Sequence, residues 1–421
     1  MPSATSIRRL RRLPRLALVV FCLISIGVSG RQMLWYFSHG PVVTDLRIFM
    51  TGVNMVASGQ GHQLYRFDAQ QKTQIELYPE TRTSGLLPFN HLAYELLFYW
   101  PLSRLSYHTA LLCWALINVG LVFLIARLLA PYSRAIAQAT GTPLALYLLA
   151  FHPVMYVLGE GQDSLIFMLL LVLSLRSMDG GQTFLAGFLL ALACFKFHLA
   201  LLIAFFVLFL RWKWRGLAGF VSGAAVVGGI SLALVGPAIF HDYPAMLRRQ
   251  EVMTPWGFIP WFMPNLRGLL QWTLAPWLDA GTILPVVFMS SAVVGAVATW
   301  QALRKSAEGT ETPTDESMTY TVAILTTILI SYHLHMQDLS MALLPMVVLT
   351  DRAIRIWQKR QAMEALLAWT AVLAVTIAVL YLYRIAAEPF PILEMRGCLL
   401  AVPIMVLWVV ALRWWRTPTP S

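Results

Sequence analysis

The sequence predicts an all-α polytopic membrane protein with about 12 transmembrane helices and a large first outer loop. Hydrophobic residues make up 58% of the 421 positions and charged residues 12%. Soluble domains carry roughly a quarter charged residues. The mean hydropathy is +0.67. A chain this apolar cannot hide its surface in one water-soluble core, so lipid must serve as its solvent.

The distribution of charge and the positions of the cysteines argue against nucleic-acid-binding, disulfide-rich and zinc-binding proteins. The net charge of +11 is spread in short clusters between apolar runs. This distribution is typical of a topology signal and not of a nucleic-acid-binding surface. The cysteines lie inside apolar runs without CxxC spacing, so neither a disulfide framework nor a zinc site is expected. They are Cys22, Cys113, Cys194 and Cys398.

The N-terminus allows two interpretations. A basic cluster from Arg8 to Arg15 is followed by the apolar stretch Leu16–Ile26, and Val28-Ser29-Gly30 resembles a signal-peptide cleavage site. The alternative is an uncleaved first transmembrane helix. We expect the uncleaved helix, because a hydrophobic membrane domain follows.

The remaining spans are predicted from apolar runs of about 20 residues, some of them shorter. The candidates are 16–36, 108–130, 143–158, 163–178, 182–196, 197–210, 216–237, 283–303, 318–333, 337–352, 364–385 and 396–413. The stretch 182–210 could instead be one long tilted helix. Two spans are preferred there, since they keep the basic Arg211–Arg215 turn among the short inner segments.

Three connecting segments divide what we expect to be a single domain over 1–421. The first outer loop covers 38–107, and its amphipathic stretch Phe49–Ala57 could lie on the membrane surface. The second outer loop, 238–282, is rich in Trp and Pro. An inner linker covers 304–317. The chain carries no GxGxxG, Walker A or HExxH pattern, which argues against a nucleotide-binding domain.

Asp45 is the first candidate for chemistry, because it stands where the first helix is predicted to leave the membrane. Ionisable groups at such positions are costly unless they are used. A positioned carboxylate can act as a general base. Alternatively, Asp45 pairs with Arg47 or caps a surface helix. Arg47, Tyr65 and Asn90 lie in the same loop and are candidates for substrate binding.

Two further polar segments interrupt the apolar chain. At the turn Gly159–Ser164, Gln162 and Asp163 could bind sugar hydroxyls, although Asp163 could equally cap the next helix. Lys196 and His198 stand in an apolar stretch. A cation there could hold a lipid-linked phosphate, or the lysine could snorkel to the interface.

A third polar turn contains His333 and His335. Their i, i+2 spacing keeps them off a common helical face, so a metal site from this pair is not expected. They could bind a phosphate or sugar, or simply form an interfacial turn. Arg248, Arg249 and Arg384 are further outer-face phosphate candidates. No acidic cluster stands out, and we expect no metal and no cofactor.

Several short motifs together resemble glycosyltransferase family 87, a group also described as a membrane family of unknown function. They are Thr44-Asp45-Leu46-Arg47, Gly59–Tyr65, Pro88-Phe89-Asn90, Gly161-Gln162-Asp163-Ser164, Gly187 with Lys196-Phe197-His198, and the basic Arg211–Arg215 turn. The resemblance covers nearly the whole chain. It implies the GT-C fold, with many membrane helices and a catalytic acid at the start of the first outer loop.

The resemblance also implies a reaction. Asp45 would deprotonate an acceptor hydroxyl, which would attack the anomeric carbon of a polyprenyl-phosphate sugar with inversion. The sugar would be a hexose such as mannose, and the acceptor an extracytoplasmic glycan or glycolipid. Lys196, His333, His335 and the outer arginines would stabilise the leaving phosphate. The protein would lie in the plasma (inner) membrane with its active site on the extracytoplasmic face.

A transporter or lipid flippase is the alternative function. Transporters usually place broken helices and polar residues near the membrane midplane, often in two related halves. Here the polar residues gather on one predicted face, and no two related halves are evident. The glycosyltransferase is therefore preferred to the transporter.

Overall fold

A computed structural model describes residues 4–250, 259–307, 315–360, 363–382 and 396–416, and every regular element in these ranges is helical. The helices are α1 Ala4–His39, α2 Leu46–Ala57, α3 Phe67–Leu77, α4 Leu96–Tyr99, α5 Tyr107–Leu129, α6 Arg134–Thr140, α7 Leu144–Ala150, α8 His152–Glu160, α9 Ser164–Asp179, α10 Thr183–Leu192, α11 Phe197–Ala204, α12 Trp214–Val235, α13 Ile239–Gln250, α14 Leu266–Leu274, α15 Ala280–Ala307, α16 Glu316–Ile330, α17 Leu343–Arg360, α18 Met363–Leu382 and α19 Ala401–Arg416. The predicted all-α class is confirmed.

Short 3₁₀ turns connect many of these helices. The turns are Gly40–Val42, Gly61–Gln63, Pro79–Thr83, Ala93–Glu95, Trp100–Leu102, Ala130–Tyr132, Cys194–Lys196, Pro260–Phe262, Gln337–Ala342 and Gly397–Leu400. One π-helical segment, Phe205–Phe209, follows α11. Tight turns of this kind are usual at helix ends and as connectors.

The chain divides into two compact units. Unit 1 contains 1–32, 120–156 and 261–421, and unit 2 contains 33–119 and 157–260. In unit 1, the Asp351 carboxylate accepts hydrogen bonds from the first backbone amides of α6, and Trp408 Nε1 donates to Thr326 Oγ1 at 2.9 Å. Buried polar groups are paired here, as an apolar surrounding requires. The expectation of a single domain stays a prediction.

Five helical stretches in the described residues are long and apolar enough to cross a membrane, and a bent pair raises the number to six. They are Arg15–Ala57, Tyr107–Tyr132, Trp214–Val235, Ala280–Arg304 and Gly397–Trp415. The protein therefore has the helices of a membrane protein, but the predicted count of about 12 is not confirmed. The predicted span 143–158 divides into α7 and α8, and 163–178 corresponds to α9, which has 16 residues.

The stretch 182–210 differs from its prediction. Thr183–Leu192 and Cys194–Phe209 are bent by 59° at residue 193. Two antiparallel spans require a full reversal of direction, so this stretch is a broken span or a re-entrant loop. The argument that placed Arg211–Arg215 inside depended on two spans, and the inner and outer assignments consequently stay predictions.

The first predicted outer loop is largely folded. It contains α2, α3 and α4, and its apolar side chains form most of one hydrophobic cluster in unit 2. A position on the membrane surface was one possibility for the amphipathic stretch Phe49–Ala57. Instead it belongs to α2, whose residues are mostly buried within the protein. Phe49 stacks on Tyr99 with ring centroids 4.2 Å apart, and such aromatic pairs fix the position of a helix.

The other two predicted segments are partly described. The second outer loop, 238–282, contains α13 in unit 2 and α14 in unit 1. Residues 251–258 lie outside the described part of the chain. In the inner linker 304–317, α15 continues to Ala307 and α16 begins at Glu316. Asp315 caps α16 by accepting a hydrogen bond from the Met318 amide at 3.2 Å, which explains where that helix begins.

Candidate functional site

The Asp45 carboxylate lies at the start of α2, in unit 2, and it is not a helix cap. Its side chain makes no capping hydrogen bond to α2. Instead Asp45 Oδ2 accepts a hydrogen bond from Gln162 Nε2 at 2.6 Å. The backbone amide of Asp45 donates to Glu160 Oε2 at 3.1 Å. Asp45 is half-buried, so a donor on one side holds a carboxylate that still reaches solvent.

The ion pair expected between Asp45 and Arg47 does not form. Arg47 is fully buried, and its guanidinium donates to Ser84 Oγ at 3.0 Å and to the Gly85 carbonyl at 3.4 Å. Asp45 therefore makes neither a capping hydrogen bond to α2 nor a direct ion pair with Arg47, although its charge acts on the Arg47 guanidinium at longer range. Arg47 itself lies where it fixes the 84–85 segment.

The turn Glu160–Asp163, which we call the 160–163 turn, brings Gln162 to Asp45. Gly161 has φ +72°, a backbone conformation that favours glycine, and a Cβ placed on it would lie 2.7 Å from Leu46 Cβ. Tyr99 Oη donates to the Gly161 carbonyl at 3.1 Å, and Trp114 Nε1 donates to the Gln162 carbonyl at 2.9 Å. Glycine thus permits a close approach that these buried donors hold in place.

A second group of charged side chains adjoins the same turn. Asp163 Oδ1 lies 3.4 Å from Lys196 Nζ. His91 Nδ1 lies 2.6 Å from one oxygen of Glu95. His91, Glu95 and Asp163 each offer one ligand atom, and these three atoms lie within 4.8 Å of one another. The three residues could therefore hold a metal ion. We call His91, Glu95, Asp163 and Lys196 the buried charge cluster.

Burial dominates the electrostatics of this cluster. The side chains of Glu95 and Asp163 are 0% exposed, and Lys196 is 5% exposed. Burial raises the pKa of Glu95 to about 7, and a hydrogen bond with Asp163 and the charge of Lys196 partly oppose this rise. Burial, followed by the nearby Glu95 charge, raises the pKa of Asp163 well above its ordinary value. Two carboxylates and one ammonium group in a low-dielectric site favour retention of a proton or binding of a cation.

Asp163 and Lys196 do not occupy the structural roles that were the alternatives to substrate binding. Asp163 makes no capping hydrogen bond to α9, so its carboxylate is not a helix cap. Lys196 is buried beside Asp163, so it does not snorkel to an interface. A direct contact of Lys196 with a phosphate stays a prediction. His198 is half-buried at the start of α11, two residues further on.

Tyr65 and Asn90 are linked to the buried charge cluster by hydrogen bonds at the backbone of residues 90–91. Tyr65 is buried and donates its hydroxyl to the His91 carbonyl at 3.0 Å. Tyr243 donates its hydroxyl to the Asn90 carbonyl at 3.1 Å. Burial raises the pKa of Tyr65 well above its ordinary value, so this hydroxyl keeps its proton and remains a donor. The two tyrosines hold the backbone at residues 90–91, which carries the His91 side chain.

The predicted outer arginines are only partly described. Arg248 and Arg249 are exposed on α13, and the Arg249 guanidinium lies 5.4 Å from the Phe67 ring centroid. Their predicted role in binding phosphate is untested. Arg384 lies outside the described residues.

His333 and His335 belong to unit 1. Their rings form an edge-to-face pair with centroids 4.2 Å apart, and the His335 amide donates to Asp338 Oδ2 at 3.0 Å. Arg267 lies over the Tyr332 ring at 3.8 Å and donates to the Tyr332 carbonyl. Unit 1 thus contains a polar group of its own around His333 and His335. Its contacts with phosphate stay predictions.

Sequence reasoning missed three members of the site in unit 2: His91, Glu95 and Glu160. A signal was available for Glu95, because it is a lone acid in the apolar stretch Leu92–Trp100 and follows His91 by four positions. No local signal connects Glu95 with Asp163, since they are 68 positions apart in the chain. Only folding brings these carboxylates together.

Comparison with known proteins identifies the family. The sequence model of glycosyltransferase family 87 matches residues 95–331, more than half of the chain. The chain belongs to glycosyltransferase family 87. No curated protein and no solved structure matches it. The matched segment includes Glu95, Gln162, Asp163 and Lys196, whereas Asp45 precedes it.

Membership settles the broad class. A family 87 protein is a glycosyltransferase, an enzyme that uses a sugar donor and an acceptor. The predicted family is confirmed, and the apolar helices are those of a membrane enzyme. The transporter alternative is correspondingly disfavoured.

Proposed function

We propose that this family 87 glycosyltransferase transfers a hexose from a polyprenyl-phosphate donor to an extracytoplasmic glycan or glycolipid, with Asp45 as general base. The observation that carries the proposal is the position of the Asp45 carboxylate. It is half-buried, it is not used as a cap, and Gln162 Nε2 orients it at 2.6 Å. A base must be held in this way to take a proton in the transition state.

The proposed reaction is a single displacement. The acceptor hydroxyl oxygen attacks the anomeric carbon while the bond from that carbon to the donor phosphate oxygen breaks. The hydroxyl proton passes to Asp45, and polyprenyl phosphate leaves with the electron pair of the broken bond. Attack from the side opposite the leaving group inverts the anomeric configuration. Gln162 keeps the carboxylate oriented, which lowers the reorganisation required during the reaction.

Negative charge develops on the departing phosphate, so a nearby cation or hydrogen-bond donor would stabilise the transition state. Lys196, His333, His335 and Arg248 are the proposed candidates. Lys196 has the least freedom to act directly, because Asp163 already lies 3.4 Å from its ammonium group. The proposed donor tail is a polyprenyl chain, which an apolar membrane protein can accommodate between its helices without a cofactor.

The proposal is tested by sugar transfer in vitro. Purified protein in lipid receives radiolabelled polyprenyl-phosphate-mannose and an extract of envelope lipids and glycans. The wild type is compared with Asp45→Asn and with Asp68→Asn, a control at a carboxylate that is 72% exposed in the same unit. We expect the Asp45→Asn rate to fall by about 10²–10⁴-fold, the usual contribution of a general base.

The outcomes separate the parts of the proposal. Labelled product from the wild type and from Asp68→Asn, with little from Asp45→Asn of equal thermal stability, supports the base assignment. Equal product from all three removes Asp45 as the base. No product with polyprenyl-phosphate-mannose or with other polyprenyl-phosphate hexoses would rule out this donor class. Analysis of the product's anomeric configuration by NMR tests inversion directly.

A further inference from the structure

We propose that His91, Glu95 and Asp163 form a binding site for one divalent transition-metal cation of the Mn²⁺ or Zn²⁺ type. The site lies entirely in unit 2. This inference goes beyond the proposed function, which assigns no metal to the transfer reaction. Its main test measures metal binding in the absence of donor and acceptor.

The geometry suits a single ion. His91 precedes the turn Ala93–Glu95, Glu95 is the last residue of that turn, and Asp163 comes from the 160–163 turn. One ligand atom from each residue lies within 4.8 Å of the other two. Bonds from Zn²⁺ to nitrogen or oxygen are about 2.0–2.2 Å long. To bind one ion together, His91 and Glu95, which are in contact at 2.6 Å, would separate slightly while Asp163 moves towards them.

Burial and charge supply an independent reason. Glu95 and Asp163 are 0% exposed, and within the described part of the chain the partners of the Asp163 carboxylate are the Glu95 carboxyl group and the Lys196 ammonium group, with no backbone or hydroxyl donor. Lys196 provides one positive charge for the two carboxylates. Two buried carboxylates in contact are costly unless a proton or a cation lies between them, and natural proteins compensate buried charge by pairing or by metal coordination. A cation between Glu95 and Asp163 would supply the second positive charge that these two carboxylates lack.

The donor set selects the kind of metal. One imidazole nitrogen with two carboxylates suits Zn²⁺, Mn²⁺ or Fe²⁺, whereas Ca²⁺ and Mg²⁺ prefer sites made of oxygen alone. The His91 side chain is 22% exposed and so forms the side of the site that is open to an entering ion. Its imidazole must be neutral to bind metal.

Because the metal site adjoins Gln162, metal binding would affect the orientation of Asp45. This effect alone rests on the proposed function. Asp163 directly follows Gln162, whose amide donates to Asp45. Coordination of Asp163 would restrain the 160–163 turn and thereby the orientation of Asp45. His91, Glu95 and Asp163 would then be positioning residues, because they act on the reaction through Gln162.

The test is a titration of the full-length protein in lipid nanodiscs with Mn²⁺, after removal of any histidine tag. Free Mn²⁺ is followed by electron paramagnetic resonance at a pH above about 6.5, where histidine is ordinarily neutral. We expect one tightly bound Mn²⁺ per chain, with a nitrogen coupling from His91 in the pulsed spectrum. His91→Ala should remove the nitrogen coupling and weaken binding by about 10–100-fold or more.

A matched control and a second variant keep the test decisive. His62→Ala removes an exposed histidine of the same unit and should leave binding unchanged. Asp163→Asn should abolish tight binding if it folds, and its folding is checked by thermal denaturation. The nitrogen coupling of the wild type requires no variant at all, so a failure of Asp163→Asn to fold does not remove the test.

Two results would overturn the proposal: no saturable binding of Mn²⁺ or Zn²⁺ by the wild type, or binding retained in both His91→Ala and a folded Asp163→Asn. Neither result bears on sugar transfer, which is assayed separately with Asp45→Asn. Conversely, tight Mn²⁺ binding by a protein inactive with every polyprenyl-phosphate hexose would retain the metal site and reject the proposed donor.

Discussion

Gln162 Nε2 donates a hydrogen bond to Asp45 Oδ2 across 2.6 Å, although the two residues are 117 positions apart in the chain. The neighbouring Glu160 accepts from the Asp45 backbone amide, so one turn holds both the main chain and the side chain of Asp45. A carboxylate whose main chain and side chain are both held loses little freedom when it takes part in a reaction. The 160–163 turn therefore deserves the first mutational tests.

Gln162→Leu should lower the rate of sugar transfer by roughly 10–100-fold while leaving the protein folded. A hydrogen bond to a charged group contributes about 1.5–3 kcal/mol, and each 1.4 kcal/mol corresponds to about tenfold in rate. The rate is measured in the transfer assay. Gln71→Leu, at an exposed glutamine on α3, is the control and should transfer at the wild-type rate. A fully active Gln162→Leu would show that Asp45 needs no orientation by this amide.

Gly161→Ala should destabilise the protein more than Gly181→Ala does. Both glycines have φ above +70°, but a Cβ at Gly161 would lie 2.7 Å from Leu46 Cβ, whereas nothing lies within 4 Å of one at Gly181. The shared backbone conformation costs roughly 1–2 kcal/mol with alanine, and steric overlap adds about 1–3 kcal/mol. Thermal denaturation in lipid compares the two variants. Equal losses would mean that the turn can shift away from α2 without cost.

Tyr65→Phe should reduce stability and leave the KM for the acceptor unchanged. Its hydroxyl is buried and donates to the His91 carbonyl, so its loss leaves a buried carbonyl without that donor, at a cost of about 1–3 kcal/mol. Tyr243→Phe is the matched variant, since its hydroxyl donates to the adjacent Asn90 carbonyl. A raised KM with normal stability would instead support direct substrate binding by Tyr65.

The stability of the metal-free protein should depend on the ionisation of Glu95. Burial raises the pKa of Glu95 from 4.5 to about 7, so the folded protein binds this proton more tightly than the unfolded chain does. The stabilisation of the folded protein by this proton is fully present below about pH 4.5 and is lost as the pH rises through about 7. The surrounding charged groups are Asp163, Lys196 and His91.

The measurement compares melting temperatures of the wild type and Glu95→Gln across this pH range, with a chelator present. The variant cannot ionise at this position, so it keeps its stability as the pH rises. The melting temperature of Glu95→Gln minus that of the wild type should therefore increase between pH 4.5 and about 7. A difference that stays constant with pH would show that the proton is not held on Glu95. Asp68→Asn, at an exposed acid, should follow the wild type closely.

Composition and local motifs were sufficient for the class of protein. The apolar content identified a helical membrane protein, and the Thr44–Arg47 and Gly161–Ser164 motifs pointed to the family that the later comparison confirmed. Span counting was less successful. Short apolar runs such as 143–158 are compatible with a broken or buried helix as well as with a span, and hydropathy does not distinguish them.

The first outer loop shows why local patterns were insufficient. Phe49–Ala57 has one apolar face, which predicts a helix but does not say what covers that face. The structure covers it with protein, including Tyr99 against Phe49. Arg47 likewise looked like a substrate ligand beside Asp45, yet it donates to Ser84 and Gly85.

The sequence by itself determined the helical membrane class and the family, because these depend on composition and on short contiguous motifs. Tertiary structure alone decided that Gln162 orients Asp45 and that Glu95 and Asp163 share one buried site. Both relationships join segments far apart in the chain. Their energies come from burial and from a few directed contacts, which exist only once the chain has folded.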